Sequence, residues 1–192
     1  MNRRLFTAAL SALLFTGAAA FAQTSSWTMD PNHTQVDFRI RHMALSTVHG
    51  LINGVTGTVV WDETDPSKCS VEATIQTATV NTNIDARNKH LKSPDFFDVE
   101  KYPVMTFKST AVTRSNGKLQ VVGDLTLTGV TKSVTLNVDG PTAPLKGPDG
   151  KATMGFSATG TLKRSDFNFG PKFKSPILGD EVQFTINVEA NH

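Results

Sequence analysis

One cysteine, Cys69, stands among 192 residues, so no intramolecular disulfide can form. The fold must be held by its core, even in an oxidising compartment. The histidines at 33, 42, 49, 90 and 192 show no close ligand spacing. With no cysteine pair beside them, no metal site is expected. A glycine-rich phosphate loop with its lysine is missing too, and carboxylates are scattered over turns and outer faces without an obvious acid–base pair. Gly155-Phe156-Ser157-Ala158-Thr159 approaches the G-x-S-x-G nucleophile elbow but ends in threonine. It also sits in a strand pattern rather than at a strand-to-helix turn. No cofactor and no catalysis are expected from these residues.

Beyond the first two dozen residues no apolar run approaches the roughly 20 residues of a membrane-spanning helix, so an integral membrane protein is not expected. The start of the chain is different. Arg3 and Arg4 precede an apolar run from Leu5 to Ala20, broken only by Thr7, Ser11, Thr16 and Gly17, and Ala20-Phe21-Ala22 follows. That pattern predicts a secretory signal at 1–22, cleaved after Ala22. A retained anchor is the alternative, and the small-residue site argues against it. Residues 23–192 then form one domain of a size that can bury a core. The chain has 19 Lys+Arg and 17 Asp+Glu. Two of the arginines belong to the signal, so the remainder is neutral and carries no nucleic-acid footprint.

What the sequence has in abundance is period-two alternation. Val36, Phe38, Ile40 and His42 share one face, with Asp37, Arg39 and Arg41 on the other. Val71, Ala73 and Ile75 repeat the pattern, as do Leu119, Val121, Leu125 and Leu127 across Gly123. Val134, Leu136 and Val138 follow, then Met154, Phe156, Ala158 and Leu162, and last Val182, Phe184, Ile186 and Val188. One dry and one wet face per strand marks an antiparallel sheet. Turn residues at Asp65-Pro66, Ser115-Asn116-Gly117, Asp124, Gly129 and Pro144 to Gly150 separate about eight runs. Eight strands can close into a barrel that is packed or holds one small ligand, and closure removes the sheet edges. The predicted class is all-β, a single antiparallel barrel of about eight strands with a short helix in a connection. Cys69 shares parity with Val71 and Ala73, which predicts a buried thiol behaving as a small hydrophobe.

Two stretches break the alternation. In Asp85 to Tyr102, Asp85 can cap a short helix to about Lys92, which Ser93-Pro94 stops; Phe96, Phe97 and Val99 follow. Ser165 to Gly179 carries Phe167, Phe169, Phe173 and Ile177. Such aromatic connections are lids over a barrel mouth or plugs of its end. Arg87, Asn88, Lys89, His90 and Lys92 on the first, and Arg164, Lys172 and Lys174 on the second, could meet an anionic head group. Pairing with the acids Asp85, Asp95 and Asp98 is the plainer reading for the lysines.

Read together, these blocks resemble the YceI-like family. Trp27-Thr28-Met29-Asp30-Pro31-Asn32-His33-Thr34 is similar to its opening motif, continued by His42-Met43 and Ser46-Thr47-Val48-His49-Gly50. Asp85-Ala86-Arg87-Asn88-Lys89-His90-Leu91, with Ser93 through Pro103, is the most specific block. Gly123 through Lys132, Arg164-Ser165-Asp166-Phe167 and Gly179-Asp180-Glu181-Val182 complete it. Ser133, Leu51 and Asn168-Phe169-Gly170 depart from the family pattern. The resemblance implies a periplasmic or secreted lipocalin-like barrel with a polyisoprenoid, isoprenoid quinone or fatty-acid-like lipid inside, as carrier or store. The residues expected against that ligand are Phe38, Ile40, His42, Leu91, Phe96, Phe97, Met105, Phe107, Phe156, Phe167 and Phe184, with Arg87, Asn88 and His90 toward its head.

The energetics suffice without a special motif. Burying about ten CH₂ groups at roughly 0.8 kcal/mol each gives about 8 kcal/mol, near micromolar affinity before ordering costs. Two other readings stay open at this point: an enzyme with His42 or His90 as base, and a filled, ligand-free barrel acting as an interaction module. A homodimer is equally open. Alternation reads the same for a filled barrel and a hollow one.

Overall fold

The period-two runs are strands, with Thr and Val frequent on their pleated, half-buried surfaces. The computed structural model describes residues 24–192, so the expected signal at 1–22 lies outside the described residues. In chain order the strands are β1 (Ser25–Met29), β2 (Gln35–His42), β3 (Ser46–Ile52), β4 (Val55–Trp61) and β5 (Ser70–Gln76). A helix α1 (Asp85–Lys92) intervenes. Then come β6 (Val104–Ser115), β7 (Lys118–Leu127), β8 (Val130–Asp139), β9 (Leu145–Lys146), β10 (Ala152–Lys163) and β11 (Leu178–Asn191).

Neighbouring strands pair antiparallel throughout. β1 pairs with β4 while β2 pairs with β3, so β1–β2 and β3–β4 each act as one bent stave. β9 is a two-residue edge on β10. The sheet therefore has eight staves, as expected. It closes because β11 uses both edges: β10 along one, β2 and then β1 along the other. The inward faces hold Trp27, Met29, Val59, Ile75, Met105, Leu125, Leu136, Met154 and Ala190 in one continuous apolar cluster.

Two local features differ from the expectation. Asp124, a turn residue by its sequence context, lies inside β7, opposite Ser133 and Lys108. Asp85 does not cap α1. The cap is Ile84, which offers no side-chain bond, and Asp85 stands in the first turn, where its charge meets the positive end of the helix dipole. The turn before the helix is tied from within instead: the Asn88 Oδ1 accepts from the Thr82 N–H and hydroxyl, both at 2.7 Å. The helix stops at Ser93, ahead of Pro94, as predicted.

One end of the barrel carries the β2–β3 tip, the long connection from Thr77 to Pro103, the Thr128–Gly129 turn and the stretch from Arg164 to Ile177. The other end carries the β4–β5, β6–β7 and β8–β10 connections. Between β8 and β10 only three residue pairs meet, Ser157–Thr159 against Asn137–Asp139. Beyond them a 3-10 turn, Arg164–Phe167, fills the seam; Phe167 is 1% exposed and its carbonyl accepts from the Thr128 hydroxyl at 2.9 Å.

Candidate ligand-binding cavity

The barrel is hollow. A cavity of about 460 Å³ runs from the mouth, at His42, Arg87, His90, Phe173 and Ile177, to the base, at Trp61, Cys69, Val112 and Leu119. That volume lies within the usual range of ligand pockets, about 300–1,000 Å³. A filled core is thereby excluded. The base is closed by Trp61 against Phe156, ring centroids 6.1 Å apart, with the Arg114 guanidinium over Trp61.

The lumen stays open because of small residues beside large ones. Phe38, on β2, faces Gly50, on β3. Phe184, on β11, faces Gly160, on β10. A Cβ at Gly50 would stand 2.3 Å from Phe38 Cζ, and one at Gly160 2.4 Å from Phe184 Cζ. Each ring thus lies flat over its glycine instead of standing into the lumen. Phe107 does the same over Gly123.

Two connections roof the mouth, and their aromatic residues meet there. Phe96 stacks on Phe173 at 5.2 Å, Phe169 packs against Phe96 and Phe97, and the His90 ring sits edge-on to Phe96 and Phe173. Asp95 ties the two sides, accepting from Lys172 Nζ at 2.7 Å and bonding His90 Nε2 at 3.1 Å. Those two partners hold its carboxyl below the ordinary carboxylate range.

Apart from the Cys69 thiol at the base, the polar groups of the lining are gathered at the mouth: His42, Thr82, Arg87, His90 and Arg164. Arg87 donates from Nε to the Thr82 hydroxyl at 2.8 Å and from one Nη to the Thr82 carbonyl at 2.7 Å. Its other Nη makes no hydrogen bond among the described residues. Arg164 is used differently from the expected head-group role. It is 5% exposed, and its five N–H groups go to the carbonyls of Gly179, Phe169, Gly170, Phe173 and Leu178. It shapes the roof and has no donor left to offer.

Of the residues expected against a ligand, Phe38, Ile40, His42, Leu91, Phe96, Phe97, Met105, Phe107, Phe156 and Phe184 line the cavity, as do Arg87 and His90. Phe167 does not; it is buried in the seam. Asn88 does not either, since both ends of its amide are engaged by Thr82 and Asn81. Sequence reasoning missed Thr82, which has no place in the alternation, and Val112. The extra residue Thr110 bulges β6 between Ser109 and Ala111, shifting the inward parity from Phe107 to Val112.

Cys69 is buried at the base, bonded to the Asp62 N–H at 3.3 Å, and burial pushes its thiol above the ordinary value. Asp30, His33 and Glu189 bring their donor atoms within 4.8 Å of one another on the outer surface. They form an exposed ion pair, His33 Nδ1 to Asp30 at 2.9 Å.

The YceI-like domain model matches residues 27–190. Protein YceI of Salmonella newport is 39% identical over 197 residues, covering 98% of this chain and 97% of that protein. The crystal structure of the Campylobacter jejuni YCEI protein superposes with a TM-score of 0.70 at 35% identity, over 79% of this chain and 89% of that one. Burkholderia cenocepacia BcnA gives 0.72 at 26%, over 84% and 98%. A polyisoprenoid binding domain from Saccharophagus degradans shares the fold, with a TM-score of 0.64 at 14% identity over 86% and 97%. With the blocks read from the sequence, the match across nearly every described residue, and the closed eight-stave barrel, the chain belongs to the YceI-like family.

Proposed function

We propose that this protein binds a long apolar amphiphile, a polyisoprenoid or a chain of similar length, with its tail in the barrel and its polar head at the mouth. The observation that carries the reading is the cavity itself, apolar from base to roof with its few polar groups gathered at one end. Apolar cavities lined this way stay dry and take apolar guests. The shared fold with a polyisoprenoid binding domain is consistent with it. A lumen about ten residues tall, at about 3.3 Å per residue and a tilt near 40°, is about 25 Å long, room for an extended tail. Arg87, with a free Nη, is the head-group residue in this reading, and His90 and His42 flank it. A carrier or store outside the cytoplasm is the role this reading assigns, and the amino-terminal pattern of Arg3, Arg4 and the apolar run to Ala20 supports that setting.

The reading is of binding without chemistry. His90 has a carboxylate partner, Asp95, but that carboxylate is also engaged by Lys172, and His42 has no carboxylate within ion-pair reach among the described residues.

Mass spectrometry of organic extracts from the natively purified protein tests the proposal. One class of long-chain lipid should be recovered in near-stoichiometric amount. Recovery of none, together with no uptake of added polyprenyl, quinone or fatty-acid probes, would sink it.

A further inference from the structure

The large apolar side chains left exposed are not scattered. Met43, Leu45, Ile84 and Ile177 are 52%, 79%, 52% and 57% exposed, and all four stand at the mouth; among the described residues only Leu145 joins them, at the opposite end. The four form an arc. Met43 and Leu45 are the β2–β3 tip, and the Met43 N–H donates to the Ile177 carbonyl at 3.0 Å. On the far side of β3, Leu51 pairs with Asn81, which brings Ile84 alongside that strand three residues later.

The tip is built at a cost. Met43 and Ala44 take φ of 51° and 56°, and Leu45 N–H bonds the His42 carbonyl at 3.0 Å. This is a four-residue turn from His42 to Leu45, inside a three-residue connection between the paired His42 and Ser46, and its two central positions favour Asn and Gly. Met-Ala in its place holds apolar groups out in solvent against local preference. Arg41 braces the tip, donating to the Ala44 carbonyl at 2.7 Å and the Thr47 hydroxyl at 3.0 Å.

Charge selects the occupant. Across residues 41–45, 77–103 and 163–180 there are eight Lys and Arg besides the buried Arg164, against six Asp and Glu. The connections at the other end, 62–69, 114–118 and 139–151, hold five of each. Lys89, Lys92 and Lys174 enter no ion pair among the described residues. An exposed apolar arc with a basic fringe is the recognition chemistry of an anionic bilayer surface.

We infer that the barrel docks mouth-first on an anionic lipid bilayer, the arc seated among the head groups and the lysines on lipid phosphates. The inference rests on the lipid-binding reading above and gives it a route: a guest passes between bilayer and lumen without crossing water.

Vesicle flotation of the purified protein tests this. Binding to phosphatidylethanolamine–phosphatidylglycerol vesicles should exceed binding to phosphatidylcholine vesicles by about tenfold or more, and should weaken with salt. Met43→Ser with Leu45→Ser should reduce it by at least about tenfold while leaving uptake of a polyprenyl probe intact, since neither side chain lines the cavity. Lys89→Glu with Lys92→Glu should abolish the preference for the anionic lipid. In Leu45→Trp, indole emission should shift to the blue on adding anionic vesicles. Equal binding by the wild type and the Met43→Ser/Leu45→Ser protein overturns the inference, as does a vesicle-free dimer that those serines dissolve. Loss of probe uptake with docking intact sinks the lipid-binding reading alone. Uptake without docking sinks this inference alone.

Discussion

A guanidinium taken out of water needs a partner for each of its five N–H groups, and Arg164 has found five backbone carbonyls. Arg164→Ala would leave those five carbonyl oxygens without their common donor in a partly buried roof. A loss of about 3 kcal/mol is expected, seen as a fall of about 1.5 M in the urea midpoint at an m-value near 2 kcal/mol/M. Arg164→Lys keeps the charge but brings three donors on one centre, and should recover less than half of that loss. Asp95 works at the rim instead of the core. Its carboxyl is held below the ordinary range, so the tie it makes is fully present above an unfolded-state value near 3.9 and is lost as pH falls through the lower folded value. Release of a fluorescent lipid should therefore stay flat from neutral pH down to that region and rise several-fold below it. Asp95→Asn should show the faster release already at pH 7, with no further acid dependence. A wild-type release rate that climbs steadily from pH 7 would place the control elsewhere.

Among the elements, the strands were legible because burial imposes a period of two wherever one face is dry. Val36 to His42 and Val182 to Val188 read correctly for that reason, and α1 ends where expected because Pro94 leaves it nowhere to go. What the pattern concealed has physical causes too. The Thr110 bulge moves the inward face by one residue, so Val112 falls out of phase with Phe107. Asp124 has turn chemistry, yet two paired neighbours on β6 and β8 override it. Hollowness was invisible: Phe38 and Phe184 look like filling residues until the register sets each against a glycine on the next stave. That pairing makes a direct test. In Gly160→Ala the new methyl collides with the Phe184 ring, which must swing inward. Stability should fall by about 1–3 kcal/mol, and affinity for a long branched chain by tenfold or more, about 1.4 kcal/mol. A Gly160→Ala/Phe184→Leu double variant should restore most of the affinity in a fluorescence titration. Unchanged affinity in the single variant would mean the guest never reaches that level of the lumen.

At the scale of the whole molecule, the proposed guest would couple to the fold. A ligand that binds only the closed barrel stabilises it by about 2.7 kcal/mol at a free concentration one hundred times its Kd. For a domain of this size each kcal/mol is worth about 2–4 °C. Calorimetry should find the lipid-stripped protein melting about 5–10 °C below the loaded one, and re-addition of the extracted lipid should restore the difference. Identical melting curves would mean that the cavity is empty in both. The ring has one further consequence, in the order of assembly. β11 is the strand that joins β10 to β2 and β1, so a growing chain is an open sheet with two raw edges until residues beyond Leu178 arrive. Closure is a late, long-range event of the slow kind. Until it happens there is a gutter rather than a tube, open along its side, through which a branched chain too wide for the finished mouth could be laid in lengthwise.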